Sequence, residues 1–163
     1  MTTEFSELIE RFLRRVEKDS DFFSYYNVSV QEALKLANEQ AKGYLYDAIY
    51  LLCSRCEPDV DMFDYDEDME EFNFELTKFE IGMISSLMYQ VYLERQEALL
   101  GAFKLRMTPS DLSTFSPANE RNSFLSLVEK VRHENDITIS QYVSKDRLTG
   151  KHKELDFSSF EVS

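Results

Sequence analysis

Cys53 and Cys56 stand in a C-x-x-C, the spacing used by redox dithiols and by half of a zinc site. A reactive dithiol needs a helix N-terminus or basic neighbours to favour thiolate. These two fall at a predicted helix C-terminus, where the helix dipole opposes negative charge. Zinc would have to recruit His133 and His152 from far off in the chain, with no second knuckle to match. The expectation is a pair of buried or half-buried thiols and no metal.

The segment DVDMFDYDEDMEEFNFE, residues 59–75, is the other place where chemistry could sit. With Glu57 it holds ten of the 31 acids and no Lys or Arg. Asp64, Asp66, Asp68 and Glu75 occupy positions 1, 3, 5 and 12 of a calcium-loop template, which wants oxygen ligands and a closing bidentate carboxylate at those places. Met69 stands where the template requires glycine for its sharp turn, and the preceding helix ends too early. An acidic contact surface and a solvated loop are the competing readings. Phe63, Tyr65, Phe72 and Phe74 alternate with the acids, so part of the segment could be extended and pinned by its rings. G-x-S-x-G, HExxH, GxxxxGK[ST] and GxGxxG do not occur, and no carboxylate pair outside this loop suggests acid-base work. The chain is expected not to be an enzyme and to need no cofactor.

The elements around these residues read as helices. Only 4 Gly and 3 Pro punctuate 163 residues, which favours long helices over the frequent turns of a sandwich or barrel. Phe5, Leu8, Ile9, Phe12, Leu13 and Val16 recur at helical steps over residues 3–18. DSDFFSYYN, residues 19–27, reads as a loop whose rings dock on the core or on a partner. Ser29 and Glu32 form a capping box before a helix over 30–54, with a stripe running from Ala33 and Leu34 to Leu52. Thr77 and Glu80 repeat the device, and a helix from Lys78 could reach Met107, about 45 Å at 1.5 Å per residue. Its first half is apolar on nearly every side and should be the central element; its second half, from Glu94, must project or meet a partner.

Pro109 and Pro117 sit just inside helix starts capped by Thr108 and Ser116, and the second start leads into a helix ending near Glu134. Beyond it lies a β-branched, then basic, then acidic and aromatic stretch. The fold class expected is mainly α: a small bundle of about four to five helices around a long central one, with an extended C-terminal arm. The arm could turn as a short β-hairpin near Thr149-Gly150. In domain terms this is a helical unit over 1–135, carrying the acidic loop 57–76, and an arm over 136–163. In the arm, Lys145, Arg147, Lys151 and Lys153 suit an acidic protein surface, and Phe157 and Phe160 suit a neighbouring subunit's groove.

The net charge of −13 argues against capture of nucleic acid or an anionic membrane by the chain as a whole. It does allow a channel wall past which DNA slides. No apolar run is long enough to cross a bilayer. The amphipathic, charged start MTTEFSELIERFLRR differs from a secretory h-region, so synthesis in a reducing cytoplasm is expected.

Three segments, in order, resemble the head-to-tail connector (neck or adaptor) proteins of tailed bacteriophages: ELTKFEIGMISSLMYQVYLERQEALLGAF, MTPSDLSTFSPANERNSFLSLVEKVR and ISQYVSKDRLTGK. The resemblance covers Glu75 to Lys151, about half the chain, with Phe115 to Asn119 as its most distinctive piece. It implies a mostly helical subunit in a ring of about twelve copies, docked on the portal protein and bridging it to the next neck or tail ring in the virion. Such adaptors commonly reach along the portal with an extended terminus. It implies interface roles for Phe115, Ser116, Pro117, Ala118 and Asn119, which fix the last helix. The arm, with Tyr142, Lys145, Arg147, Lys151, Lys153, Phe157 and Phe160, would hold the portal. The contrasting expectation is a small acidic helical protein that mimics DNA or binds calcium through residues 57–75.

Overall fold

The computed structural model describes residues 1–18, 20–23, 25–111 and 118–154. In chain order these form β1 (Thr3–Glu4), α1 (Phe5–Val16), α2 (Ser20–Phe23), α3 (Val30–Arg55), β2 (Tyr65–Asp66), β3 (Glu71–Phe72), α4 (Lys78–Arg106) and α5 (Ala118–Val143). The architecture is the mainly helical bundle read from the sequence, with a small sheet added.

α4 is the central element and packs against α1, α3 and α5. Its N-terminus is fixed by the predicted capping box: Thr77 Oγ1 accepts from Glu80 N at 3.2 Å, and the Glu80 side chain returns to Thr77 N at 2.7 Å. Ser29 and Glu32 start α3 in the same way. Each box satisfies amide donors that a helix start otherwise leaves open. Ile81, Met83, Ile84, Leu87 and Met88 then bury nearly all round α4, as expected of a helix enclosed by neighbours. The α1 stripe is buried from Phe5 to Val16 except Leu13, which is half-buried. The α3 stripe begins one turn later than the periodicity suggests: Ala37 is buried but Leu34 is 52% exposed, because α3 meets the bundle only from Ala37 onward.

The rings of Phe22, Phe23 and Tyr25 pack on the core, with Phe22 buried against Phe12, Tyr44 and Tyr92; Tyr26 is exposed. The acidic segment forms a hairpin. β2 and β3 pair antiparallel, and β1 adds on the other side of β3, in the order β1-β3-β2. Phe72 is fully buried in a ring cluster with Phe5, Tyr65 and Phe74, so the alternating aromatics pin the hairpin to the start of α1. Glu70 takes a positive φ of 56° in the hairpin turn, a conformation disfavoured for residues with a Cβ. Its carboxylate bonds Lys42 on α3 and its carbonyl accepts from Phe5 N at 2.8 Å, which together hold the turn in place.

The last helix departs from expectation. It does not stop near Glu134 but continues to Val143, so residues 136–143, read as the start of an extended arm, belong to the bundle. Asn135, Ile139 and Tyr142 recur at steps of four and three and are buried, so packing overrides the weak helix preference of the β-branched ITI run. Thr138 and Ser140 donate to the carbonyls of Glu134 and Asp136 four residues back, which occupies hydroxyls that could otherwise compete with the helix. Thr108 Oγ1 accepts from Asp111 N at 3.3 Å at the predicted start by Pro109. The Ser116-Pro117 start lies outside the described residues.

Two substitutions test this division of the surface. Ile49→Ala, in the fully buried part of α3, should lower stability by about 2–5 kcal/mol in urea unfolding. Leu105→Ala, at 90% exposure on α4, should change it by less than about 0.5 kcal/mol.

Candidate partner-binding surface

A buried carboxylate, that of Glu80, ties the C-terminal segment to the bundle. Glu80 is fully buried. Besides capping α4 through Oε2, it accepts through Oε1 from the Tyr142 hydroxyl at 2.9 Å and from Arg147 Nε at 2.6 Å. The Arg147 guanidinium also donates to the Glu75 carbonyl and lies 5.5 Å over the Phe74 ring. Tyr142 stacks on Phe79 with the ring planes 8° apart. A buried carboxylate is costly unless charged and polar donors surround it, and here they come from α4, α5 and the segment after α5.

That segment folds as the small hairpin expected near Thr149-Gly150. Lys145 bridges to His152, Asp146 N donates to Lys151 O at 2.8 Å, and Lys153 N donates to Ser144 O at 2.9 Å. The Asp146 side chain accepts from the Thr149 hydroxyl and from the amides of Thr149 and Leu148, and these bonds, the hydroxyl's first, hold its carboxyl below the usual aspartate range. Gly150 has a φ of 66°, which glycine adopts without the Cβ penalty. Lys153 reaches Asp59 at 2.8 Å.

The sequence-predicted contact residues therefore separate. Tyr142, Arg147 and Lys153 are committed within the chain, to Glu80 and Asp59. Lys145 is half-buried; Lys151, Ala118 and Asn119 are exposed. Phe115, Ser116, Pro117, Phe157 and Phe160 lie outside the described residues.

From Ser86 to Glu97 of α4, the seam with α5 carries matched polar groups beside the buried Val131 and Ile139. Asn135 donates to Gln90 Oε1 at 2.8 Å and accepts from Ser86 Oγ at 2.7 Å. Arg132 bonds Glu94 at 2.8 Å and Glu97 at 2.6 Å. No described buried side-chain polar atom lacks a partner, so this seam fixes the register of α5 on α4 rather than leaving a reactive group. Beyond it, at the far end of the pair, Leu99, Leu100, Phe103 and Phe124 line an apolar groove together with Glu120 and Arg121. Leu99 and Phe124, at one end of helices otherwise rich in charge, were the sequence signal for it.

The acidic hairpin and the thiols show no assembled centre. Asp66 accepts from the amides of Asp68 and Met69, and Asp64 from Asn73, so two carboxylates of the calcium template are turned to their own loop. No group of three potential ligands occurs among the described residues. Cys53 and Cys56 are half-buried, and burial pushes both thiols above their ordinary value, Cys53 also through its neighbour Cys56. No described helix is long and apolar enough to cross a membrane.

Comparison with protein-family models, with curated proteins and with solved structures gives no match.

Burial, followed by the charge of Glu80, pushes the Tyr142 phenol above the ordinary tyrosine value. The folded chain thus favours the neutral phenol, whose contribution is complete below about pH 10 and is lost as pH rises above it. Tyr142→Phe should flatten the fall of stability above about pH 10, measured by urea unfolding at stepped pH. Arg147→Ala should speed amide exchange across residues 144–153 while leaving far-UV helicity unchanged; unchanged exchange would mean that Arg147 does not hold the hairpin.

Proposed function

We propose that the chain is a structural, non-enzymatic subunit: a head-to-tail connector of a tailed phage that joins copies of itself into a ring and docks on the portal. One observation carries this reading. A bundle whose core is closed still leaves large apolar side chains uncovered, with Val30 77% and Leu34 52% exposed on α3, and Leu99 50% and Leu105 90% exposed on α4. Apolar surface of this kind, set among charged residues, is what assembly covers. The resemblance of residues 75–151 to connector proteins supports the same reading. The acidic residues would let DNA pass a ring of such subunits without binding.

A second reading rests on the β2–β3 hairpin, where acids from Glu57 to Glu70 are exposed with no base between them. It makes the chain an acidic decoy for a DNA-binding protein.

Size-exclusion chromatography with light scattering, on the full chain with the portal protein of the same genome, separates the two. Connector function predicts co-elution with portal rings at about one chain per portal subunit. A chain that stays apart from portal at every concentration tested contradicts it.

A further inference from the structure

The rings of the acidic segment divide into two sets. Tyr65 and Phe72 pack with Phe5 and hold the hairpin to α1, so the fold already has its anchors. Phe63 takes no part in that cluster. Its ring meets Tyr50 of α3 edge-on, with centroids 5.6 Å apart and planes at 70°, yet Phe63 stays 44% and Tyr50 71% exposed. Tyr46, one turn before Tyr50, stacks on Tyr65 at 5.6 Å and carries the aromatic face toward β2. Phe63 is fixed by its own turn, since its amide donates to Asp61 Oδ1 at 2.9 Å. Two large rings are thus held together in water on a helix and an ordered turn, with no role in closing the core.

Carboxylates frame these rings. Asp47 precedes Tyr50 by three residues on α3, so the two side chains are neighbours on the helix surface. Asp61 is tied to Phe63. Burial first, and the charge of Glu67 next, push the phenols of Tyr46 and Tyr65 above their ordinary value. No Lys or Arg occurs from Cys56 to Thr77. The bases that reach this side from elsewhere are already paired: Lys42 with Glu70, Arg55 with Asp136 and Lys153 with Asp59.

The chain itself shows what rings and carboxylates together can hold. Arg147 lies 5.5 Å over Phe74 while its guanidinium donates to Glu80. A planar guanidinium faces a ring and bonds a carboxylate at once, which the compact ammonium of lysine does less well. Among the described residues, the arginines that lie over rings cover Tyr89, Tyr44 and Phe74, and none covers Tyr50 or Phe63.

We propose that Tyr50 and Phe63, framed by Asp47 and Asp61, are a docking face for an arginine-bearing segment of another protein. A second copy is the poorer occupant of this face, because it brings a further net charge of −13 to an acidic surface. The inference goes beyond both readings above: portal docking does not require it, and mimicry of DNA by charge alone does not require the rings.

The test uses the full chain without portal, so its failure is distinct from failure of portal docking. A short fluorescent peptide of alternating arginine and glycine is titrated by fluorescence anisotropy, with a lysine-glycine peptide of the same length as the charge-matched control. Saturable binding at one site per chain is expected, tighter for arginine than for lysine. Tyr50→Ala or Phe63→Ala should weaken it at least about fivefold although neither changes the charge. Asp47→Asn with Asp61→Asn should weaken it as well, and asparagine at 61 can still accept the Phe63 amide. Glu7→Gln with Glu10→Gln, which removes equal charge from the exposed side of α1, should leave it unchanged. Tyr50 is mostly exposed, so unchanged circular dichroism of Tyr50→Ala serves as the folding check. Four outcomes overturn the proposal: no saturable binding, binding indifferent to both ring variants, equal affinity for the two peptides, or self-association of the chain that Tyr50→Ala abolishes. The last would assign the face to a second copy.

Discussion

A single buried carboxylate sets the relation between the two ends of this chain. Glu80 begins as a local device, the third residue of α4 returning to cap its own start. Its other oxygen receives Tyr142 from the end of α5 and Arg147 from the hairpin beyond. The Glu80 side chain is 0% exposed and that of Arg147 12%, so the pair sits away from the screening that makes surface ion pairs nearly neutral. Such a pair need not outdo a well-packed apolar alternative in stability. What it does impose is a penalty for any arrangement that leaves one member without the other.

From that anchor the α4–α5 pair runs in a fixed register. Asn135 meets Ser86 and Gln90, and Arg132 meets Glu94 and Glu97, among the buried Val128, Val131 and Ile139 of α5. A seam of matched polar groups tolerates little sliding, since a shift of one turn would bury donors and acceptors without partners. The result is a helix pair held in one register, with the hairpin of residues 144–153 tied near the start of α4 and apolar residues lining a groove near its end.

Much of the bundle was legible because its signals are local. Ser29 with Glu32 and Thr77 with Glu80 announce helix starts within four residues, the α1 stripe has a clean period, and Gly150 marks its turn. The end of α5 was not legible: Ile137, Thr138 and Ile139 suggest extended chain, and only the face of α4 that receives Ile139 and Tyr142 makes them helical. Leu34 illustrates the converse, a residue in phase with a buried stripe but beyond the reach of the bundle. The acidic segment was readable only in its rings. The double role of Glu80 gave no signal at all, because Arg147 lies 67 residues away and its local context is a basic arm. Reading that arm as free for a partner was reasonable from charge alone, and the buried carboxylate is what claims part of it.

The most direct measurement is a double-mutant cycle between Glu80→Gln and Arg147→Met, by urea unfolding of the full chain. Gln retains the capping hydrogen bond, so the cycle isolates the contact between hairpin and bundle. A coupling of at least about 1.5 kcal/mol is predicted, above the range of exposed pairs. A coupling below about 0.5 kcal/mol would show that the hairpin does not depend on Glu80, and the account of how the two ends are held would fail.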